Sequence, residues 1–136
     1  MIAIESKRMK RETILRLHPN AIIADVTSHA TDDLVKVSPF YPHSGIPVPF
    51  SECITATCVE AVWQGLKVFE SADVDMNMFR NDTMKNIKRT VRRFGKPLGH
   101  RKGVHGTELL GYIEARKQIY IPTYYWMLEH KVPNTT

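Results

Sequence analysis

The chain has 136 residues, of which 43% are hydrophobic and 24% charged, and its formal net charge is +5. A domain of that length buries about two thirds of its unfolded surface and needs no disulfide staples. No run approaches about 18 apolar residues, so no membrane span is expected, and the start "MIAIESKRMKRETILRL" lacks the order of a signal peptide, which makes a cytoplasmic protein the expectation.

In chain order, "SKRMKRETILRLHPN" places Met9, Ile14 and Leu17 at loose helical spacing and stops before Pro19 and Asn20. "AIIADVTS" is the best strand candidate, "HATDD" a loop, and "LVKVS" a second short strand. "PFYPHSGIPVPF" carries Pro39, Pro42, Pro47 and Pro49, a density that excludes a helix or a central strand. The aromatics between those prolines predict an ordered loop packed on the body. "TCVEAVWQGLKVFE" (57–70) reads as a helix, and "SADVDMNMFRN" as an acidic connection with one helical turn. "DTMKNIKRTVRRFG" (82–95) reads as an amphipathic helix capped by Asn81 or Asp82 and closed at Gly95. "KPLGHRKGVHG" reads as a glycine-rich basic loop. "TELLGYIEARKQIYIPTYYWMLEHKV" gives two helical pieces separated or kinked at Pro122, before a frayed tail at 133–136. The expected fold class is α+β: a predominantly helical single domain over 1–136 with a few short strands.

Cys53 and Cys58 make no zinc site, because no second Cys or His pair stands at ligand spacing, and no metal is expected. In a cytoplasm both stay reduced, with Cys58 a small core residue at the start of its helix.

Two faces carry chemistry. In the 82–95 helix, Met84, Ile87, Val91 and Phe94 form an apolar arc, opposite Lys85, Lys88, Arg89, Arg92 and Arg93. Lys96, His100, Arg101 and Lys102 follow closely. No acid stands at i+4 to neutralise this face, so it suits phosphate, and a solvated surface would carry the same charges. On the 57–70 helix, Val59, Val62, Leu66 and Phe69 fall within about 80° of the wheel, while Glu60, Trp63, Gln64 and Lys67 gather within about 100° on another side. A cleft with these groups would stack a flat ring on Trp63, hydrogen-bond it through Gln64 and keep Glu60 as a base. A partly exposed helix with Glu60 paired to a cation fits the same spacing.

The stretch "SPFYPHSGIPVPFSECITATCVEAVWQGLKVFE" resembles the opening signature of the NADAR family of NAD- and ADP-ribose-associated proteins. Ser38, Phe40, Tyr41 and Pro42 match its Ser-Asn-Phe-Tyr-Pro-like stretch. Val59, Glu60, Gln64, Lys67 and Phe69 are similar to its Val-Glu-His-x-Tyr-Gln-x-x-Lys-Phe helix, with Trp63 in the aromatic place. "PLGH" at 97–100 resembles a later Leu-Gly-Arg element. The family's C-terminal Asp-x-x-Trp-Gly signature has no counterpart in "YYWMLEHKVPNTT". The resemblance implies an N-glycosidase that hydrolyses a ribose C1–N bond of an ADP-ribose-type substrate, most sharply ADP-ribosyl-guanine in nucleic acid, with a phage counter-defence setting in a bacterial host cytoplasm as one context. It implies Glu60 and Lys67 as catalytic residues, and Phe40, Tyr41, His43, Trp63, Gln64, Arg89, Arg92, Arg93, His100 and Arg101 as substrate-binding ones, with no cofactor. Two other readings stand beside it: a protein that binds an ADP-ribose-like nucleotide without cleaving it, and a basic nucleic-acid-binding protein.

Overall fold

A computed structural model describes residues 11–17 and 33–132; the strand expected at 21–28 and the 133–136 tail lie outside them. After the short helix α1, Arg11–Leu17, the fold centres on helix α2, Val59–Leu66. Cys58 caps it: its Sγ accepts the Ala61 N–H at 3.3 Å, and the Pro39 carbonyl accepts the Glu60 N–H at 2.9 Å. Two donors left over at every helix start are thereby satisfied. All of α2 is buried except Glu60, so both arcs of the wheel are covered. Phe79, from the 3-10 turn Met76–Arg80, lies so close to Gly65 that a Cβ there would stand 2.3 Å from its ring. Leu66, Ile119 and Met127 complete this core, each contributing roughly 1.5–3 kcal/mol by burial.

The chain leaves α2 as strand β3, Lys67–Phe69, which pairs antiparallel with β4, Pro97–Arg101, and β4 with β5, Leu109–Leu110. The helix expected over 57–70 therefore ends at Leu66, because pairing with β4 captures the next three residues. The basic loop expected at 96–106 is a central strand in its first half. A separate two-stranded ribbon joins β1, Ile46–Pro47, to β2, Thr55–Ala56, with Pro47 in a short edge strand as its missing N–H requires.

The expected helix over 82–95 is replaced by irregular chain and one turn, α3, Val91–Phe94. Side chains win the backbone groups that a helix would need. The Asn81 amide oxygen accepts from the Thr83 N–H and hydroxyl, the Asn81 amide donates to the Lys85 carbonyl, and Thr83 Oγ1 accepts from the Lys85 N–H. Such local bonds compete with helix, and Met84 and Asn86 take left-handed φ of 62° and 59°. Ile87 and Arg89 then turn inward while Lys88 and Thr90 face water, the period of an extended segment. Gly95 does close α3, at φ 85°. "LVKVS" is also corrected: Asp33–Val37 is a 3-10 turn, with the Val37 carbonyl taken by the Tyr124 hydroxyl and the Lys36 carbonyl facing His43.

The C-terminal pieces are not separated at Pro122. Helix α4, Tyr112–Ala115, runs through a π turn at Arg116–Tyr120 into α5, Ile121–Lys131. There the Ile121 N–H reaches the Arg116 carbonyl, five residues back. A proline lacks the N–H for the regular ladder, and the wider turn before it absorbs the mismatch. The molecule is a small single domain of mixed α+β class. Among the described residues no helix is long and apolar enough to cross a membrane.

Candidate functional site

Glu60, the half-buried member of α2, is enclosed by polar groups from three elements. The Gln64 amide N–H donates to Oε1 at 3.0 Å, and the Tyr120 hydroxyl from the π turn makes a long bond to Oε2 at 3.4 Å. The Gln64 amide cannot flip, because its oxygen already accepts the Arg89 backbone N–H at 3.1 Å. Glu60 therefore has a fixed donor. Burial pushes its carboxyl above the ordinary range, although Gln64, Tyr120, Arg116 and Lys67 all pull the other way. Desolvation outweighs the neighbouring cations here. Lys67 acts on Glu60 through its field, and burial pushes the Lys67 ammonium down. The same desolvation, with Glu60 adding to it, raises the Tyr120 hydroxyl.

Trp63 forms the wall beside this carboxylate. Its ring stacks on His100 at 3.7 Å and meets Tyr120 and Tyr112 edge-on at 5.4 and 6.2 Å. The Arg116 guanidinium lies 4.5 Å from the Tyr120 ring centroid, 5.8 Å from Trp63 and 6.0 Å from Tyr112. His100 is 3% exposed, and burial, helped by Lys67, lowers its pKa to about 4; it is a neutral ring at neutral pH. Its Nε2 has no partner among the described residues. A cleft of about 150 Å³ opens here, lined by Trp63, Lys67, Leu98, His100 and Tyr112 with glycines 99 and 111.

The structure thus brings together Glu60, Trp63, Gln64, Lys67 and His100 of the expected set. Phe40 packs against the core. Tyr41 and His43 make contacts elsewhere: their rings lie 4.7 Å apart, and His43 Nε2 meets the Lys36 carbonyl at 2.7 Å. The expected cationic rim is dispersed. Arg89 is 4% exposed, and its guanidinium donates to the carbonyls of Gln64, Lys67 and Asp73 at 3.0, 2.6 and 2.7 Å. It ties the end of α2 to the turn below instead of facing an anion. Arg101 forks onto the Asp73 carboxylate at 3.1 and 3.0 Å, with its third nitrogen on the Gly106 carbonyl. Of the four expected arginines, Arg92 and Arg93 stay exposed, on α3.

Residues 6–136 match a family of unknown function, DUF6939. The chain belongs to that family. No curated protein and no solved structure matches it.

The sequence reading missed Tyr112, Arg116 and Tyr120. Their i, i+4, i+8 spacing in "YIEARKQIY" was the available signal: it aligns two aromatics and a cation along one helical face. Among the described residues no cluster of His, Cys, Asp and Glu is arranged to hold a metal.

Proposed function

We propose that this protein is an N-glycosidase acting on a ribose C1–N bond of an ADP-ribose-type substrate, with ADP-ribosyl-guanine in nucleic acid the sharpest candidate. The observation that carries this reading is the Glu60 carboxylate: sheltered, oriented by Gln64 and raised in basicity, beside an aromatic wall and two cations. Breaking C1–N leaves oxocarbenium-like charge on the sugar, which a close carboxylate stabilises. Water adds its hydroxide to C1, and its proton passes through Glu60 to the departing nitrogen. A raised pKa makes Glu60 the better base for that transfer. The resemblance of residues 38–70 to the NADAR segment supports the same assignment. A phage counter-defence role is a setting consistent with such an activity.

An oligonucleotide bearing ADP-ribosyl-guanine, incubated with wild type and with Glu60→Gln, tests the reading. Wild type should release ADP-ribose, and the variant should be roughly 10²–10⁴-fold slower, the usual contribution of a general base. Inactive wild type at stoichiometric enzyme, or an undiminished variant, ends the proposal.

One observation favours a second reading. The cleft of about 150 Å³ is smaller than the 300–1,000 Å³ usual for enclosing a whole ligand, which suits a protein that grips a nucleotide by one ring without cleaving it. Recovery of the intact nucleotide from the denatured complex identifies that case. The exposed Lys85, Lys88, Arg92, Arg93 and Lys96 are what a plain nucleic-acid binder would use, and such binding would fall steeply with salt.

A further inference from the structure

The cleft next to Lys67, which Glu60 does not line, is a slot with two unlike walls. In the β4–β5 register His100 faces Leu110 and Arg101 faces Leu109; Leu98 precedes His100 on β4, and Tyr112 opens α4 just after Leu110. Leu98 is 51% exposed and Tyr112 66% exposed, yet both line the same gap. Tyr112 is not loose, since Arg116 and the edge of Trp63 brace its ring. The stacked Trp63–His100 pair contributes a further ring surface to the slot.

Charge and size narrow the occupant. Lys67 lines the slot, and among the described residues no hydrogen bond or ion pair engages the Arg116 guanidinium that braces its wall. Two cations next to aromatic surface suit a planar ring carrying an anion. A 150 Å³ space admits one ring of benzene size, so the rest of any larger ligand lies outside.

We propose that this slot is a base subsite: it takes the six-membered ring of a nucleobase between Leu98 and Tyr112, against Trp63, and Lys67 and Arg116 hold the attached phosphate outside. That the base is the leaving group rests on the glycosidase reading; that the slot binds it does not.

Guanosine 5′-monophosphate and ribose 5-phosphate share the anion and differ in the ring, so calorimetric titration with both reads the slot directly. The nucleotide should bind wild type at least about tenfold more tightly, and Tyr112→Ala should remove about that factor, the value of one stacked base, without changing ribose 5-phosphate binding. Gly111 has φ −67°, and a Cβ there meets nothing within 4 Å. Gly111→Leu should therefore keep the melting temperature and abolish nucleotide binding. Equal affinities for the two ligands, no nucleotide binding at millimolar concentration, or unaltered binding by Gly111→Leu overturns the subsite. If Gly111→Leu loses its cooperative melt, Tyr112→Ala and Leu98→Ala decide alone, and unchanged affinity in both overturns it. The glycosidase reading fails differently: the nucleotide binds with the expected ring dependence while ADP-ribosyl-guanine survives. Hydrolysis by Gly111→Leu at the wild-type rate removes the slot and leaves Glu60 in place.

Discussion

Asp73 is held by two arginines, one from inside the molecule and one from outside. Arg89 reaches its backbone carbonyl from the interior, along with the carbonyls of Gln64 and Lys67. Arg101 reaches its carboxylate from the surface, in a paired fork. On the inner side, Gln64 passes the constraint on to Glu60, whose carboxyl burial pushes up. On the outer side, the Val74 N–H and then Arg101 hold the exposed Asp73 carboxyl below its ordinary range. Glu60 is raised chiefly by burial and Asp73 lowered chiefly by the Val74 N–H, although each has cations nearby, so burial and hydrogen bonding separate these two carboxyls more than the count of charges does. The ion pair belongs to the outer side; the carboxyl raised by burial belongs to the inner one.

The largest test of that contrast is Arg89→Ala. It takes the guanidinium away from three carbonyls, of which that of Gln64 keeps another donor, the Lys67 N–H, and buried unsatisfied polar groups cost about 1–3 kcal/mol each. We expect a loss of about 3–5 kcal/mol, read as a lower urea midpoint at unchanged m-value. Arg89→Lys should recover little, since an ammonium cannot span three carbonyls as the planar fork does. A loss below about 1 kcal/mol would place Arg89 with the outer set.

The next effect is a pH dependence. Burial, with Lys67 and Arg89 adding repulsion, lowers His100 from 6.5 to about 4. The unfolded chain then binds the extra proton between those values. Stability from this group is complete above pH 6.5 and is lost as pH falls toward 4, on the order of 3 kcal/mol in all. Glu60 runs the other way: with its folded pKa raised, its protonation favours the folded state as pH falls. His100→Phe keeps a ring stacked on Trp63 and should flatten the decline between pH 6.5 and 4. An equally steep decline in that variant would assign the effect to other groups.

The inner side was the more legible part of the sequence. The spacing of Glu60, Trp63, Gln64 and Lys67 on "VEAVWQGLK" placed four site residues together, because a helix converts spacing directly into position. Trp63 beside Glu60 was the anomaly that marked the face, and the structure resolves it by burying both arcs of α2. The α+β class was legible in the same way. The basic run from 82 to 95 misled for a physical reason. Its apolar period fits a helix, but Asn81 and Thr83 bind the local backbone, and Arg89 is recruited inward by carbonyls that end α2 and turn below it. Those carbonyls come from residues 16 to 25 positions away, a distance over which periodicity carries no information. Tyr120 and Arg116 share a helical spacing with Tyr112, but their approach to Glu60 depends on a π turn that this spacing does not reveal.

The smallest effect is the one that a reading of charges alone would rank highest. Arg101 makes the best-formed ion pair among the described residues, a two-point fork on Asp73 at 3.1 and 3.0 Å. The Asp73 side chain is two-thirds exposed, so water and salt compete with the fork at every moment. Arg101→Ala should cost no more than about 1 kcal/mol. That cost should shrink further in about 1 M salt, where the screening length falls to about 3 Å, whereas the cost of Arg89→Ala, made of desolvated carbonyls, should hardly move. Measuring both variants at low and high salt separates the two sides of Asp73 in one experiment. If the Arg101 cost were the larger or the Arg89 cost the salt-sensitive one, the contrast between a structural interior arginine and a solvated surface pair would be the wrong way round.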